Sequence, residues 1–252
     1  MKTCTIRRQA GKWFACFCCE VEAEPLAPSE LSAGIDAGLL HFAALSDGSF
    51  IDNPRFLRKQ EKALAKAQRK QSTTKRGTPE RKRANKVIGR VHEHIRNHRD
   101  NFLHQQSHRI VEKYGLIKVE RLNIDNMLSR PAPKQDEESG QYVANGASRK
   151  SGLNKSIADA AWGQFRFMLS YKAERAGREY AEVDPAYTSQ ECLCGHRASK
   201  TLDERVHDCP ACGLHMHRDT LSAKIVQLRP SLPSVSKRQK GMGRHTLAAT
   251  AA

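Results

Sequence analysis

No apolar run approaches the length of a membrane span and no signal peptide opens the chain, which excludes a helical membrane protein and points to the cytoplasm. Acidic residues are scarce. Only 27 Asp and Glu stand against 43 Lys and Arg, for a net charge of +16 and a pI near 9.7. That imbalance excludes the near-neutral surface of an ordinary cytosolic enzyme and implies a polyanionic partner. The excess is concentrated, because residues 55–99 hold sixteen Lys and Arg against three Glu. The eight cysteines are not spaced as a disulfide framework, and their close pairing suggests metal ligation in a reducing compartment. At 252 residues there is room for one sizeable core and a small appendage.

Residues 181–226 organise the rest. They carry Cys192 and Cys194 as one close pair, Cys209 and Cys212 as a second, and Asp219 shortly after. Two thiolate pairs separated by a loop of this length read as a zinc ribbon. In CPACG the proline and glycine form the tight turn that aims two thiolates at one ion. Asp219 opens an apolar periodic run (Leu221, Ile225, Val226, Leu228), so it stands near the first turn of a short helix. A carboxylate is electrostatically favourable there.

Taken in order, residues 3–22 predict two strands around a Gln-Ala-Gly-Lys turn, and residues 22–30 a linker. Cys16, Cys18 and Cys19 lack a second half-site and are expected as small buried strand residues. Residues 31–36, 42–47 and 49–52 predict an antiparallel meander, with Asp36 in an otherwise apolar strand between Gly34 and Gly38. Residues 56–71 form a basic helix with a thin stripe of Ala63, Leu64 and Ala67. Residues 80–114 form a long one, with Ala84, Val87, Val91, Ile95, Phe102, Leu103 and Ile110 at helical spacing. Together they predict a helical hairpin over 55–113. Its outer faces carry Lys59, Lys62, Lys66, Arg69, Lys70, Lys75, Arg76, Arg81, Lys82, Arg83, Lys86 and Arg90, read as contacts to nucleic-acid phosphates. His94/His98 and His104/His108 have no third ligand nearby and read as a polar face.

Residues 116–122 predict a strand holding Glu120; a carboxylate in a central strand must be paired, metal-bound or facing a cleft. Residues 126–151 read as a mobile polar loop. Residues 154–176 read as one amphipathic helix with Ile157, Ala161, Phe165, Met168 and Leu169 inward, started by Ser156 and Asp159. Another strand follows at 179–183, and the tail from 229 to 252 is expected to be disordered.

Three antiparallel strands followed by alternating α and β elements is the ribonuclease H-like order. It places the first strand beside the strand of Glu120, so that Asp36, Glu120 and Asp219 form one acidic pocket. The fold expected is α/β: a ribonuclease H-like domain over 31–189 and 215–228, with the helical hairpin and a zinc ribbon at 190–214 inserted. A remnant β-hairpin and linker over 1–30 precede it.

Five stretches in order resemble the successive motifs of TnpB, the transposon-encoded OrfB family whose relatives include the type V CRISPR nucleases. They are GIDAGLLHFAALSDG (34–48), IKVERLNIDNM (117–127), SIADAAWGQFRFMLSYKAERAG (156–177), VDPAYTSQEC (183–192) and CPACGLHMHRD (209–219). The resemblance covers most of residues 1–228. It implies a RuvC-like DNA endonuclease interrupted by a zinc ribbon, guided by RNA, with Asp36, Glu120 and Asp219 as its catalytic carboxylates. Phosphodiester hydrolysis by two hard cations needs such ligands, with Asp36 bridging two Mg²⁺ and the other two acids each completing one. The implied partners are DNA and a guide RNA, in a prokaryotic cytoplasm at the nucleoid. Three departures mark the chain as an N-terminally truncated copy of that pattern. It begins within the last hairpin of what resembles the family's N-terminal barrel. The first cysteine pair is Cys-x-Cys, where His196, His207 or His215 could substitute as ligands. Leu221 stands where the family has Asn. Two function classes follow: a Mg²⁺-dependent nuclease, or a zinc-ribbon nucleic-acid-binding protein whose carboxylates are relics.

Overall fold

A computed structural model describes residues 2–9, 11–201 and 203–233. The chain forms two compact units, one from residues 2–24 and 56–101, the other from residues 25–55 and 102–233.

In the first unit, β1 (Thr3–Gln9) and β2 (Lys12–Cys18) pair antiparallel around Gly11, whose φ of 87° suits the tight turn. The hairpin leaves one face open, while Phe14 and Cys16 on the other are half-buried. Ile6, Trp13 and Phe17 are at least 60% exposed. Cys4, Cys18 and Cys19 are exposed and Cys16 half-buried, which corrects the expectation of buried strand cysteines. The physical reason is that two strands cannot cover themselves.

Helix α1 (Phe56–Ser72) buries no residue fully, and Arg69 and Lys70 lie in its last turn, where cations suit the helix dipole. Helix α2 (Pro79–Lys113) starts on a recognisable signal. Thr78 accepts the Arg81 N–H at 3.3 Å, Pro79 fills the first helical position, and Glu80 lies in the first turn. Among the described residues of this unit only Ala84, Glu93 and Ile95 are buried.

The second unit is built on a five-stranded sheet. Its strands are β3 (Ser32–Ala37), β4 (His41–Leu45), β5 (Phe50–Asp52), β6 (Leu116–Glu120) and a last strand at Glu179–Val183. Between β6 and that last strand the chain forms α3 (Ile124–Leu128), a small hairpin of β7 (Lys134–Gln135) and β8 (Tyr142–Val143), then α4 (Ala147–Ala160) and α5 (Trp162–Arg175). The last strand is β9, and the sheet order is β5-β4-β3-β6-β9. The first three strands are antiparallel, and β3–β6 and β6–β9 are parallel, the order expected above.

Residues alternate between the two faces of β3 and β6. Ala33, Ile35, Ile117 and Val119 join the main core with Leu103 and Ile110 of α2 and Phe165, Met168 and Leu169 of α5. The opposite face takes α6 (Arg218–Leu228), whose Leu221, Ala223, Ile225 and Val226 are buried. A Cβ on Gly34 would lie 2.0 Å from the Ala223 carbonyl oxygen and 2.4 Å from the Gln227 nitrogen. Only glycine lets this helix backbone come down on the strand.

Two expectations are corrected. The single helix at 154–176 is two helices broken at Ala161, which sits in the left-handed region at φ 55°, ψ 41°. Neither Gly nor Pro marks the joint. The conformation costs a non-glycine residue about 1–2 kcal/mol. It is held by the burial of Ile157, Ala160, Trp162 and Phe165 on either side. The helix also begins at Ala147 rather than at Ser156, so the polar stretch 126–151 holds α3, the β7–β8 hairpin and the first turn of α4.

Between β9 and α6, β10 (Val206–Asp208) pairs antiparallel with β11 (His215–His217), and Glu191 bridges Arg197. Of the tail expected to be disordered, residues 229–233 run back to the sheet, where the Leu232 N–H donates to the Glu182 carbonyl at 2.8 Å. Residues 234–252 lie outside the described residues. No helix among the described residues is long and apolar enough to cross a membrane.

Candidate active site and metal centre

Asp36 sits near the end of β3, paired with Ala44 across the antiparallel side. On the parallel side Ile35 pairs with Val119, so Asp36 and Glu120 follow side by side at the carboxyl ends of neighbouring strands. Asp219 comes from the first turn of α6. That helix is capped by His217, whose Nδ1 accepts the Asp219 N–H at 3.3 Å.

Electrostatics report the convergence. The Asp36 carboxyl is raised well above its ordinary range, first by loss of water around it and then by the negative charges of Glu120 and Asp219; Arg218 works in the opposite direction. Glu120 is also raised, by its burial, against a hydrogen bond from Thr188 and the charge of Arg229. Three carboxylates separated by long stretches of sequence therefore share one field.

A cavity of about 240 Å³ opens on this site, lined by Asp36, Gly38, His41, Arg205, Arg218 and Asp219 among others. Glu120 does not line it; only 6% of its surface is exposed. The cavity thus combines acids with two arginines, a lining suited to cations and an anion together. Arg218 also braces its surroundings, donating to the Thr201 carbonyl at 2.8 Å. Arg205, Arg218 and Thr188 were not singled out by sequence reasoning. Their only sequence signal is position, since Arg218 precedes Asp219 and Thr188 lies in VDPAYTSQEC.

Cys192, Cys194, Cys209 and Cys212 meet in one cluster, with all four sulfurs within 4.8 Å of one another. Cys192 and Cys212 approach to 3.7 Å between sulfurs, as do Cys194 and Cys209. A tetrahedral ion with bonds of about 2.3 Å to sulfur requires edges of about 3.8 Å, so the four thiols could hold a metal such as zinc. The Cys-x-Cys pair reaches the cluster despite its short spacing. Burial pushes the Cys209 thiol up, but the N–H groups of Cys212 and Ala211 outweigh this and bring it down to about 6. Of the three substitute histidines, His207 is fully buried with neither ring nitrogen hydrogen-bonded, and His215 pairs with Asp208. Among the described residues the four cysteines are the one group of His, Cys, Asp and Glu drawn together this tightly. The His94 and His98 rings meet edge to face at 4.2 Å without joining such a group.

Lys59, Lys62, Lys66, Arg69, Lys70, Lys75, Arg76, Lys82, Arg83, Lys86 and Arg90 are exposed on the first unit. Arg81 is half-buried instead. Its guanidinium donates to the carbonyls of Gln71 and Thr74 and ties down the turn between α1 and α2.

Comparison with known proteins gives this geometry a context. A family described as "Probable transposase" matches residues 16–130, and the "Cas12f1-like, TNB domain" family matches residues 162–226. The chain is 34% identical over 229 residues to a "Putative RNA-guided DNA endonuclease" of Streptomyces pristinaespiralis, covering 89% of this chain and 52% of that protein. It is 34% identical over 202 residues to "Putative RNA-guided DNA endonuclease InsQ" of Escherichia coli K12, covering 79% and 49%. The chain spans about half the length of these relatives. A solved CRISPR-Cas12f ternary complex contains a chain of the same fold, with a TM-score of 0.54 at 18% identity, covering 88% of this chain and 42% of that one. In sequence the chain is thus similar to the OrfB_IS605 probable transposase family over residues 16–130 and to the Cas12f1-like TNB domain over residues 162–226.

Proposed function

We propose that the chain carries the RuvC-type, Mg²⁺-dependent DNA endonuclease site of an RNA-guided nuclease, with Asp36, Glu120 and Asp219 as its catalytic carboxylates. One observation carries this reading: Asp36, Glu120 and Asp219, from β3, β6 and α6, come together so that Asp36, raised first by its burial, is raised further by the charges of the other two. Like charges so close are relieved by protonation or by bound cations. The three do not crowd about one point as the cysteines do. Asp36, Glu120 and Asp219 would be the residues that hold divalent cations there. Two cations about 3.5–4 Å apart activate water and stabilise the leaving oxygen in phosphodiester hydrolysis.

The domain plan proposed with it is a nuclease core over 31–189 and 215–228 and a ribbon at 190–214 that holds structural Zn²⁺ through its four cysteines. The basic hairpin over 55–113 holds nucleic-acid backbone without reading sequence. Base pairing with a guide RNA then supplies the sequence, on DNA at the nucleoid.

Purified protein with guide RNA should cleave DNA in Mg²⁺, and Asp36→Ala should abolish cleavage by at least about 10³-fold while binding and folding persist. Cleavage that survives Asp36→Ala removes this site from the mechanism. A second reading is a nucleic-acid-binding protein without catalysis, which the exposed Lys and Arg of the first unit favour. Absence of cleavage by the wild type, with DNA binding intact, selects it. For the ribbon, metal analysis should find one zinc per chain, lost in Cys209→Ser; unchanged zinc in that variant excludes this ligand set.

A further inference from the structure

The segment between β9 and the cysteine cluster is tightly wound. Asp184 Oδ1 accepts the Ala186 N–H at 3.0 Å, and the Tyr187 carbonyl accepts the N–H groups of Gln190 at 2.9 Å and Glu191 at 3.0 Å. Tyr187 itself sits at φ 62°, a left-handed conformation that a non-glycine residue adopts only when its surroundings impose it. The next residue, Thr188, is only 5% exposed, and its Oγ1 lies 2.5 Å from Glu120 Oε1 and 3.1 Å from the Pro185 carbonyl. A hydroxyl has one proton to give. The shorter contact, to a group that carries charge, takes it. Four residues on, Cys192 enters the cluster, and Glu191 between them is clamped by Arg197 at 2.6 Å and Arg229 at 2.5 Å.

We infer that Thr188 is a positioning residue: its hydroxyl occupies Glu120 Oε1 and thereby fixes Oε2 as the oxygen offered to a divalent cation. This rests on the proposed reading of Glu120 as a metal ligand. Glu120 lies at the end of its strand and does not line the cavity, so its carboxylate needs an orienting partner more than Asp36 or Asp219 does. Hydrogen-bond partners of metal ligands act in this way, and their loss typically weakens metal binding about 10–100-fold. The winding that drives Thr188 inward belongs to the same short segment that delivers Cys192, so the cysteine cluster braces the acidic site through it.

The test uses the full chain and Mn²⁺ as the probe, with affinity read from the paramagnetic resonance signal of free Mn²⁺, alongside zinc content and thermal midpoint. Thr188→Val should weaken Mn²⁺ binding about 10-fold or more with zinc content retained, and Thr188→Ser should restore it to within about 2-fold of wild type. If Thr188→Val fails to fold, Thr188→Ala, which removes the hydroxyl without filling its space, serves the same comparison. Wild-type affinity in the folded hydroxyl-less variant overturns the inference. So does a serine variant as weak as valine, since shape rather than the hydroxyl would then matter. Glu120→Gln separates the two levels. If it binds Mn²⁺ as the wild type does, the reading of Glu120 as a ligand fails, and the role of Thr188 fails with it. If it weakens binding while Thr188→Val does not, only the role of Thr188 fails.

Discussion

The two units use their residues in opposite ways. In the sheet unit Phe42, Leu103, Ile117 and Leu169 are all at most 1% exposed, and helices cover both faces of β3. In the helical unit α1 buries nothing fully, and Trp13 and Phe17 stand in solvent. The first arrangement can hold a carboxylate to a fraction of an ångström, because a close-packed interior admits few alternatives. The second cannot, and holding a phosphate backbone does not require it. Coulomb attraction in water varies slowly with distance and tolerates loose side chains. Packing density and charge therefore divide between the units as position and attraction do.

Core truncation tests that division most severely. Leu103→Ala removes a fully buried side chain and should destabilise the protein by about 3–5 kcal/mol. Val87→Ala, at a position 47% exposed on the same helix, should cost less than about 0.5 kcal/mol. Denaturant unfolding that finds the two equal would break the contrast. Next in size is charge reversal. Changing Lys82, Arg83 and Lys86 to Glu should lower nucleic-acid affinity about 100-fold at low salt and reduce the slope of log affinity against log salt by about 3. A variant matching the wild type across a salt titration would make these residues an ordinary solvated face.

The smallest effect concerns Asp47, in the turn between β4 and β5. It accepts Lys113 Nζ at 2.8 Å, Tyr114 Oη at 2.6 Å and Ser49 Oγ at 2.6 Å. Burial pushes its carboxyl up, but these bonds outweigh burial and hold it well below the usual carboxylate range. Because the folded pKa is depressed, the contribution is fully present above the unfolded pKa near 4 and is lost as pH falls below it. Asp47→Asn should cost about 1 kcal/mol at pH 7, discounted because Lys113 is largely exposed, and the gap to wild type should close as pH falls from about 4. A gap constant from pH 7 to pH 2 would show that ionisation of Asp47 is not what the turn uses.

What the residues alone revealed follows the range of the interaction involved. Strands at 31–36 and 116–122 and the long helix from 80 were legible because alternation and helical spacing are local patterns, and Thr78-Pro79-Glu80 marks a helix start in adjacent residues. The sheet order followed from the sequence of elements. Ala161 was not legible, because a left-handed alanine is imposed by the packing around it and has no local marker. The exposure of Cys18 and Cys19 was missed because an apolar strand reads the same whether or not something covers it. Gly34 was legible only as a glycine flanking Asp36; its reason, a helix 189 to 193 residues further along the chain, exists only in the folded molecule. Thr188 escaped for the same reason: its partner is 68 residues away.

The parallel pairing of β3 with β6, completed by a helix far downstream, also sets an order in time. Asp36 leaves the ribosome well before Asp219. At about 5–20 residues per second, on the order of 10–40 s separate the two. During that interval β3 can form its meander with β4 and β5, but the Gly34 face has no helix to receive and Asp36 has no opposing carboxylate. The nascent chain presents its basic helices well before Asp36, Glu120 and Asp219 can meet. On the proposed function attraction would precede chemistry, and a chain whose synthesis stops before α6 could not complete the pocket.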